Sequence, residues 1–342
     1  MSGFIHSFRL VYRKMPKPVK KAARFFLKPI HNHQLSHIWR RFCADNHEGW
    51  ILVCPASLGD FITICSLAKA FKNKYSVDKL TLISRNNWSM ISDYFESIDE
   101  YRVCQGEVIE AAQYLLYSGL SDPIPRSGIP FIAHPYFAGE TVRCLGYKDI
   151  NLLDLFKIRL NLSQYSNYSP PRSLLAMELD QGKEFLHSRG LRVGKTVLIN
   201  PLGQTAKSFS WQWWIELANQ LRRRGYDILW NYHQPKPHPA EIETSDIPLG
   251  MMRAVAVCCG FVISIGCGLD VLLAFDPMKY ISLYPRRNKL DELTYFYSLN
   301  PALEATDYVT AGTIRNFFPT STIDTISMDE NSSYDEWLSK YL

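Results

Sequence analysis

Residues 51–60 read Ile-Leu-Val-Cys-Pro-Ala-Ser-Leu-Gly-Asp, and this stretch decides the fold class of the chain. The four apolar residues 51–54 predict a buried parallel strand. Ser57, Gly59 and Asp60 then predict a tight turn, and the apolar pattern that follows Asp60 predicts a helix. The Asp60 carboxylate is therefore expected at the carboxyl end of a parallel strand, the edge at which open α/β sheets bind their ligands.

Two later segments repeat this pattern of a strand, a glycine turn and a helix. They read Asn-Pro-Leu-Gly-Gln-Thr-Ala-Lys at 200–207 and Ser-Ile-Gly-Cys-Gly-Leu-Asp at 264–270. Backbone N–H groups and the helix dipole at such a turn favour anions, Gly203 permits close approach, and Lys207 adds a positive charge. Most glycine turns are plain turns, but two at one cleft suit a nucleotide diphosphate. The predicted contact residues are Gly203, Gln204, Lys207, Ser208, Gly266, Cys267, Gly268, Leu269 and Asp270.

Strands and helices alternate from residue 50 onward in two successive units. The alternation predicts parallel sheets, hence an α/β fold with two Rossmann-like domains, and a length of 342 residues suits two domains. The polar, proline-bearing segment 161–173 is the predicted linker and hinge. We expect an N-terminal extension, a first domain, a second domain and a C-terminal helix, with bounds at 1–44, 45–165, 166–329 and 330–342.

Composition favours a cytoplasmic protein. None of the eight cysteines has the C-x-x-C spacing of a zinc site or a redox dithiol, so buried, reduced thiols are expected. No apolar stretch approaches the roughly 18 residues of a spanning helix, and the basic start lacks the apolar core of a secretory signal.

The net charge of +5 conceals a local excess. Residues 1–44 hold ten Lys or Arg and no acidic residue, with aromatic and aliphatic residues between them, whereas the remainder has a net charge of −5. This mixture suits an anionic membrane surface. An extension that packs on its own domain is the open alternative. Nucleic acid is not expected as a partner, because no known nucleic-acid-binding motif follows the basic segment.

At these motifs the chain resembles glycosyltransferases of the heptosyltransferase type, family 9, over roughly 50–75 and 195–285. Ser57-Leu58-Gly59-Asp60 is similar to the family's S-L-G-D turn. Asn200, Gly203, Lys207, Phe209 and Trp214 are similar to its second block, with Phe209 in place of the usual tryptophan. Its third block, D-S-G-x-x-H, corresponds here to Gly266, Cys267, Gly268 and Val271. The missing acid and histidine argue against carrying over an ADP-heptose donor, and the chain looks closer to a surface-polysaccharide branch.

The resemblance implies a GT-B fold, in which two Rossmann-like domains face each other across a cleft and a C-terminal helix often returns to the first domain. It also implies an inverting, metal-independent transfer of sugar from a nucleotide diphosphate to a glycan or lipid-linked acceptor. Asp60 would be the general base. Lys207 and the backbone of the two glycine turns would hold the leaving diphosphate. Ser57 and Gly59 would lie on the acceptor side. His134, at the end of a predicted strand of the first domain, is expected on the same side, and no cofactor is expected.

Other interpretations stay open. Asp60 at the start of a helix also suits an N-cap. His134 at the end of a predicted strand suits an ordinary half-buried histidine. The histidines near residues 31–37 and 233–238 lack the carboxylates or thiols of a metal site. A protein of this fold that binds a nucleotide or glycan without catalysis is the competing functional hypothesis.

Overall fold

The structure is a computed structural model that describes residues 17–135, 152–203, 209–232, 245–265, 267–285 and 323–328, with 334, 338 and 339. Its described strands form two parallel sheets, one of four and one of five strands. The helices pack on both faces of each sheet. The α/β class predicted from the sequence is confirmed.

The first sheet has the strand order β3-β2-β1-β4, so the motif-bearing strand β1 is central. It is paired in parallel with β2 and with β4, where Val53 lies opposite Ile132. The elements of this unit are α1 (Lys17–Asp45), β1 (Trp50–Cys54), α2 (Leu58–Tyr75), β2 (Leu80–Ser84), α3 (Ser89–Ser92), β3 (Glu100–Val103), α4 (Gly106–Tyr117), β4 (Phe131–Ile132) and α5 (Leu152–Arg159).

The second sheet has the order β6-β5-β7-β8-β9. Its strands β5 and β7 precede the second and third motif turns, as the sequence pattern predicts, whereas β9 was not predicted. The elements are α6 (Ala176–His187), β5 (Thr196–Asn200), α7 (Trp211–Arg223), β6 (Asp227–Trp230), a 3₁₀ turn (Leu249–Met251), α8 (Met252–Cys259), β7 (Gly260–Ile265), α9 (Gly268–Leu273), β8 (Lys279–Pro285) and β9 (Ile323–Met328).

The basic N-terminal segment is helical from Lys17 onward as α1. Its C-terminal part packs on the first domain, since Leu35 and Trp39 are buried in one apolar cluster with Ile109 and Leu116 of α4. This part of the N-terminal segment therefore packs on its own domain, as the alternative to membrane binding predicted. Residues 1–16 lie outside the described residues, and membrane-surface binding stays a prediction. Among the described helices, none is both long and apolar enough to cross a membrane.

The predicted linker 161–173 is hydrogen-bonded to the first domain. The backbone N–H of Ser169 donates to the Ser66 carbonyl at 2.7 Å, and that of Arg172 donates to the Tyr94 carbonyl at 2.7 Å. The Tyr94 hydroxyl donates at 2.8 Å to the carbonyl of Gly250, in the second domain. The Tyr94 ring also faces the guanidinium of Arg253, which forms a buried ion pair with Asp276 at 2.6 Å. Tyr94 of the first domain therefore bonds both the linker and the second domain.

The described residues of the C-terminal segment contact the second domain. Leu338 is fully buried in the cluster beneath α7, and the Tyr334 hydroxyl donates to the Trp213 carbonyl at 3.0 Å. The resemblance predicted that this segment packs on the first domain, whereas these described residues pack on the second.

Candidate active site

Asp60 lies at the third position of helix α2, directly after the central strand β1. Ser57, rather than Asp60, is the N-cap residue, and the two side chains form a capping box. Oδ2 of Asp60 accepts hydrogen bonds from the Ser57 backbone N–H at 2.9 Å and from the Ser57 hydroxyl at 2.6 Å. The interpretation of Asp60 as the N-cap is therefore corrected, because its carboxylate supports the cap from within the helix.

His134 follows β4, the strand next to β1, so parallel pairing brings it to the same edge of the sheet. Its Nε2 lies 3.6 Å from Oδ1 of Asp60, an ion-pair distance when the imidazole is protonated. The two side chains are 17% and 16% exposed, so the pair is shielded but still reached by solvent. The structure thus brings together Ser57, Asp60 and His134, all expected on one side of the cleft.

Opposing effects of burial and hydrogen bonding set the pKa of the Asp60 carboxyl. Burial alone raises its pKa, but the His134 ring and the two hydrogen bonds from Ser57 outweigh burial, and the pKa is lowered overall. Asp60 is therefore ionised at neutral pH. An ionised carboxylate that keeps one oxygen outside its cap can accept a proton from a nearby hydroxyl.

The two domains meet where the first and third motifs face each other. A Cβ atom added at Gly268 would lie 2.7 Å from the Gly59 backbone nitrogen, and one added at Gly59 would lie 3.1 Å from Gly268 Cα. Only glycines permit this approach of the α2 and α9 N-termini. The contact places Asp60 beside the third motif.

Asp270, predicted to contact the donor, faces the interior of its own domain. Its side chain is fully buried and accepts a hydrogen bond from Ser264 Oγ at 3.0 Å, and from the hydroxyls of Tyr280 and Ser282. Burial raises the pKa of the Asp270 carboxyl despite these donors. The structure therefore gives Asp270 a structural role in fixing the turn between β7 and α9.

The sequence prediction overlooked these three hydroxyl residues. Ser264 lies opposite Ser282 in the pairing of β7 with β8, and Tyr280 is two residues before Ser282 on the same face. Polar residues at alternate positions in an otherwise apolar strand were the available signal.

The remaining predicted donor contacts are only partly described. Cys267 is the N-cap of α9, followed by Gly268 and Leu269. Gly203 follows strand β5, at the carboxyl edge of the second sheet. Gln204, Lys207, Ser208 and Gly266 lie outside the described residues. Phe209 is buried and stacks on Trp213 with ring centroids 4.2 Å apart, so it anchors the start of α7.

Within the described part of the chain, no group of three His, Cys, Asp or Glu side chains could hold a metal ion. The seven cysteines in that part are free thiols, and the eighth, Cys144, lies outside it.

The two facing Rossmann-like domains define a GT-B-type fold, as predicted. The chain is similar to the crystal structure of a glycosyl transferase family 9 protein from Veillonella parvula DSM 2008, with 14% identity and a TM-score of 0.50 over 86% of this chain and 90% of that one. It is also similar to the E. coli ADP-heptose LPS heptosyltransferase II, with 13% identity and a TM-score of 0.52 over 81% of this chain and 90% of that one.

At sequence identities of 14% and 13%, the structural similarity to these two proteins establishes the fold alone. No protein-family model matches the chain, and no curated protein matches its sequence significantly.

Proposed function

We propose that this protein is an inverting, metal-independent glycosyltransferase, a divergent relative of family 9. It moves a sugar from a nucleotide diphosphate to a growing surface glycan of the lipopolysaccharide or capsule type. The observation that carries the proposal is Asp60, an ionised carboxylate beside the third motif at the junction of the domains. The names of the two solved structures, a glycosyl transferase and a heptosyltransferase, support this class of reaction.

In this reaction Asp60 takes the proton of the acceptor hydroxyl as that oxygen attacks the anomeric carbon of the donor sugar. The new glycosidic bond forms on one face of the carbon while the bond to the diphosphate breaks on the opposite face. Lys207 and the N–H groups of the two glycine turns stabilise the charge that develops on the leaving diphosphate. The proton ends on Asp60, from which solvent removes it.

Residues 45–165 would form the acceptor domain, with Ser57, Gly59 and His134 on that side of the cleft, and residues 166–329 the donor domain. The basic residues of 1–44 would hold the enzyme against the anionic inner face of the membrane, near a lipid-linked acceptor. Such an enzyme would work in the cytoplasm, where nucleotide sugars are substrates.

The test begins with a thermal-shift screen of UDP, GDP, ADP, CDP, CMP and dTDP, because a ligand that binds only the folded state raises its apparent stability. Sugar nucleotides of each stabilising nucleotide then serve as donors, with release of the nucleotide as the readout. Lys207→Ala is expected to abolish the shift.

The Asp60→Asn variant then separates catalysis from binding. It should keep the nucleotide-induced shift but lose turnover by about 10²- to 10⁴-fold, the usual contribution of a general base. Asp180→Asn, a change at an exposed residue of α6, is the matched control and should leave both unchanged. Nucleotide binding with no release from any sugar nucleotide would instead identify a binding protein that has lost catalysis.

A further inference from the structure

We propose that His134 is a positioning residue for Asp60: its imidazole faces Oδ1 of the carboxylate and holds that oxygen toward the acceptor. This inference rests on the proposed function and assigns the acceptor-side histidine a specific task. His134 acts through Asp60 and makes no bond to the sugar.

The two carboxylate oxygens of Asp60 have different partners. Both hydrogen bonds from Ser57 end on Oδ2, at 2.9 and 2.6 Å. Two bonds from one residue restrict rotation of the carboxylate, so Oδ1 is directed to the other side, where His134 Nε2 lies 3.6 Å away. That separation is longer than a direct hydrogen bond, which leaves Oδ1 able to accept one from a hydroxyl. Oδ2 thus supports the helix cap, and Oδ1 is left for the proposed base catalysis.

The His134 ring is itself held by the core of the first domain. The backbone N–H of Ala133, the preceding residue, donates to the Val53 carbonyl at 2.9 Å and continues the pairing of β4 with β1. The ring packs edge-on against Phe156, with centroids 5.8 Å apart and an interplanar angle of 80°. Phe156 of α5 is fully buried. A ring fixed by a strand and a buried aromatic side chain can hold another group in place.

The other described groups around Asp60 leave His134 as the neighbour that faces its free oxygen. Cys54, at the end of β1, is a fully buried thiol whose pKa is raised by burial, so it stays neutral. From the facing domain, α9 presents Gly268 and Val271 near Gly59, and Asp270 is turned into its own core. Ser57 carries no charge. Among the described groups that face Asp60 from these elements, the His134 imidazole lies at ion-pair distance, with Nε2 3.6 Å from Oδ1 of the carboxylate.

The experiment replaces the imidazole with an uncharged amide of similar reach, His134→Gln, with His134→Asn as a second variant. The same change at His187, an exposed residue in the last turn of α6, is the control. Aspartate labelled with ¹³C at the side-chain carboxyl reports the titration of Asp60, and the signal is assigned by its loss in Asp60→Asn. The expected result is a higher Asp60 titration midpoint in both His134 variants and an unchanged midpoint in His187→Gln.

Turnover gives the second readout. With a donor from the nucleotide screen, the His134 variants should lose kcat by on the order of 10- to 100-fold at an unchanged donor KM. The acid limb of the pH–rate profile should move to higher pH, because a base with a raised pKa is protonated sooner on acidification. Loss of packing alone would lower kcat without moving the acid limb.

An Asp60 midpoint that stays the same in both folded His134 variants overturns the inference, whatever the activity. If the midpoint rises but the wild-type protein transfers sugar from no donor, the pairing stands and the proposed function fails. The two failures are therefore distinguishable.

Discussion

The turns that start helices α2 and α9 contain the same local pattern with opposite outcomes. Each has an N-cap residue, two intervening residues and an aspartate at the third helical position: Ser57 with Asp60, and Cys267 with Asp270. Asp60 keeps one oxygen toward His134 and has a lowered pKa, whereas Asp270 is fully buried among three hydroxyls and has a raised pKa. One turn holds an ionised carboxylate, the proposed base, and the other holds a buried carboxyl that fixes its own turn.

The cap residue and the neighbouring strand explain the difference. The Ser57 hydroxyl bonds its aspartate at 2.6 Å and keeps it at the helix start, while the Cys267 thiol, a weak donor, lies 3.8 Å from Asp270 Oδ1. Asp270 instead meets Tyr280 and Ser282 of strand β8. A helix-start pattern thus places an aspartate without deciding which way its carboxylate faces.

The largest expected effect on stability is that of Asp270→Ala. Three buried hydroxyls would lose their shared acceptor. The Ser264 hydroxyl keeps the Ile265 carbonyl at 2.8 Å and the Tyr280 hydroxyl keeps Ser264 Oγ at 3.0 Å. The loss therefore combines about 1–3 kcal/mol for an unpaired Ser282 hydroxyl with about 0.5–1.5 kcal/mol for each of the other two lost bonds, a total of at least about 2 kcal/mol. Asp60→Ala removes a partly exposed cap partner and should cost only about 1 kcal/mol. Denaturant unfolding followed by tryptophan fluorescence measures both. Equal losses would contradict the distinction between the two turns.

Gly268→Ala tests the contact between the turns. The added methyl would lie 2.7 Å from the Gly59 backbone nitrogen, so the two helix starts must separate. Overpacking of this kind costs about 1–3 kcal/mol. Turnover should also fall, because Asp60 moves away from the second domain. In Gly106→Ala, the control, the nearest atom is the Arg85 side-chain nitrogen at 3.8 Å. A Gly268→Ala protein that matches this control in melting temperature and turnover would refute a tight junction.

Much of the fold was predictable from local sequence. Strand Trp50–Cys54 contains the predicted run 51–54, and strand Thr196–Asn200 ends where the second motif begins, because short apolar runs before turn residues specify buried parallel strands. Ser210 has the residue type typical of an N-cap, and its hydroxyl accepts a hydrogen bond from the Trp213 backbone N–H at the start of α7. In the candidate site, Ser57, Asp60 and His134 were named in advance, since each follows a strand at one edge of the sheet.

What could not be predicted depends on distant residues or on conflicting local signals. Helix α1 contains Pro29 in its interior, which argues against a continuous helix. Strand β9 is specified by pairing with β8 rather than by its own pattern. The burial of Asp270 depends on Tyr280 and Ser282, which belong to the next strand. The Asp60–His134 distance likewise requires the register of β4 on β1.

The smallest expected effect is a difference in how the two aspartates make stability depend on pH. Asp60 has a lowered pKa when folded, so its contribution is full above the unfolded value of about 3.9 and is lost as pH falls through the folded pKa. Asp270 has a raised pKa, so folding retains a proton above about pH 4, and stability falls as pH rises toward the folded pKa.

Melting temperatures of wild type, Asp60→Asn and Asp270→Asn between pH 3 and pH 8 separate these contributions. Asp270→Asn should remove a decline in stability that begins above about pH 4, whereas Asp60→Asn should flatten the loss below about pH 4 and leave the rest of the curve in place. The overall destabilisation of either variant shifts its whole curve and does not affect this comparison of slopes. Curves of the same shape for both variants would mean that the two carboxyls share one environment, and that the contrast between the turns is wrong.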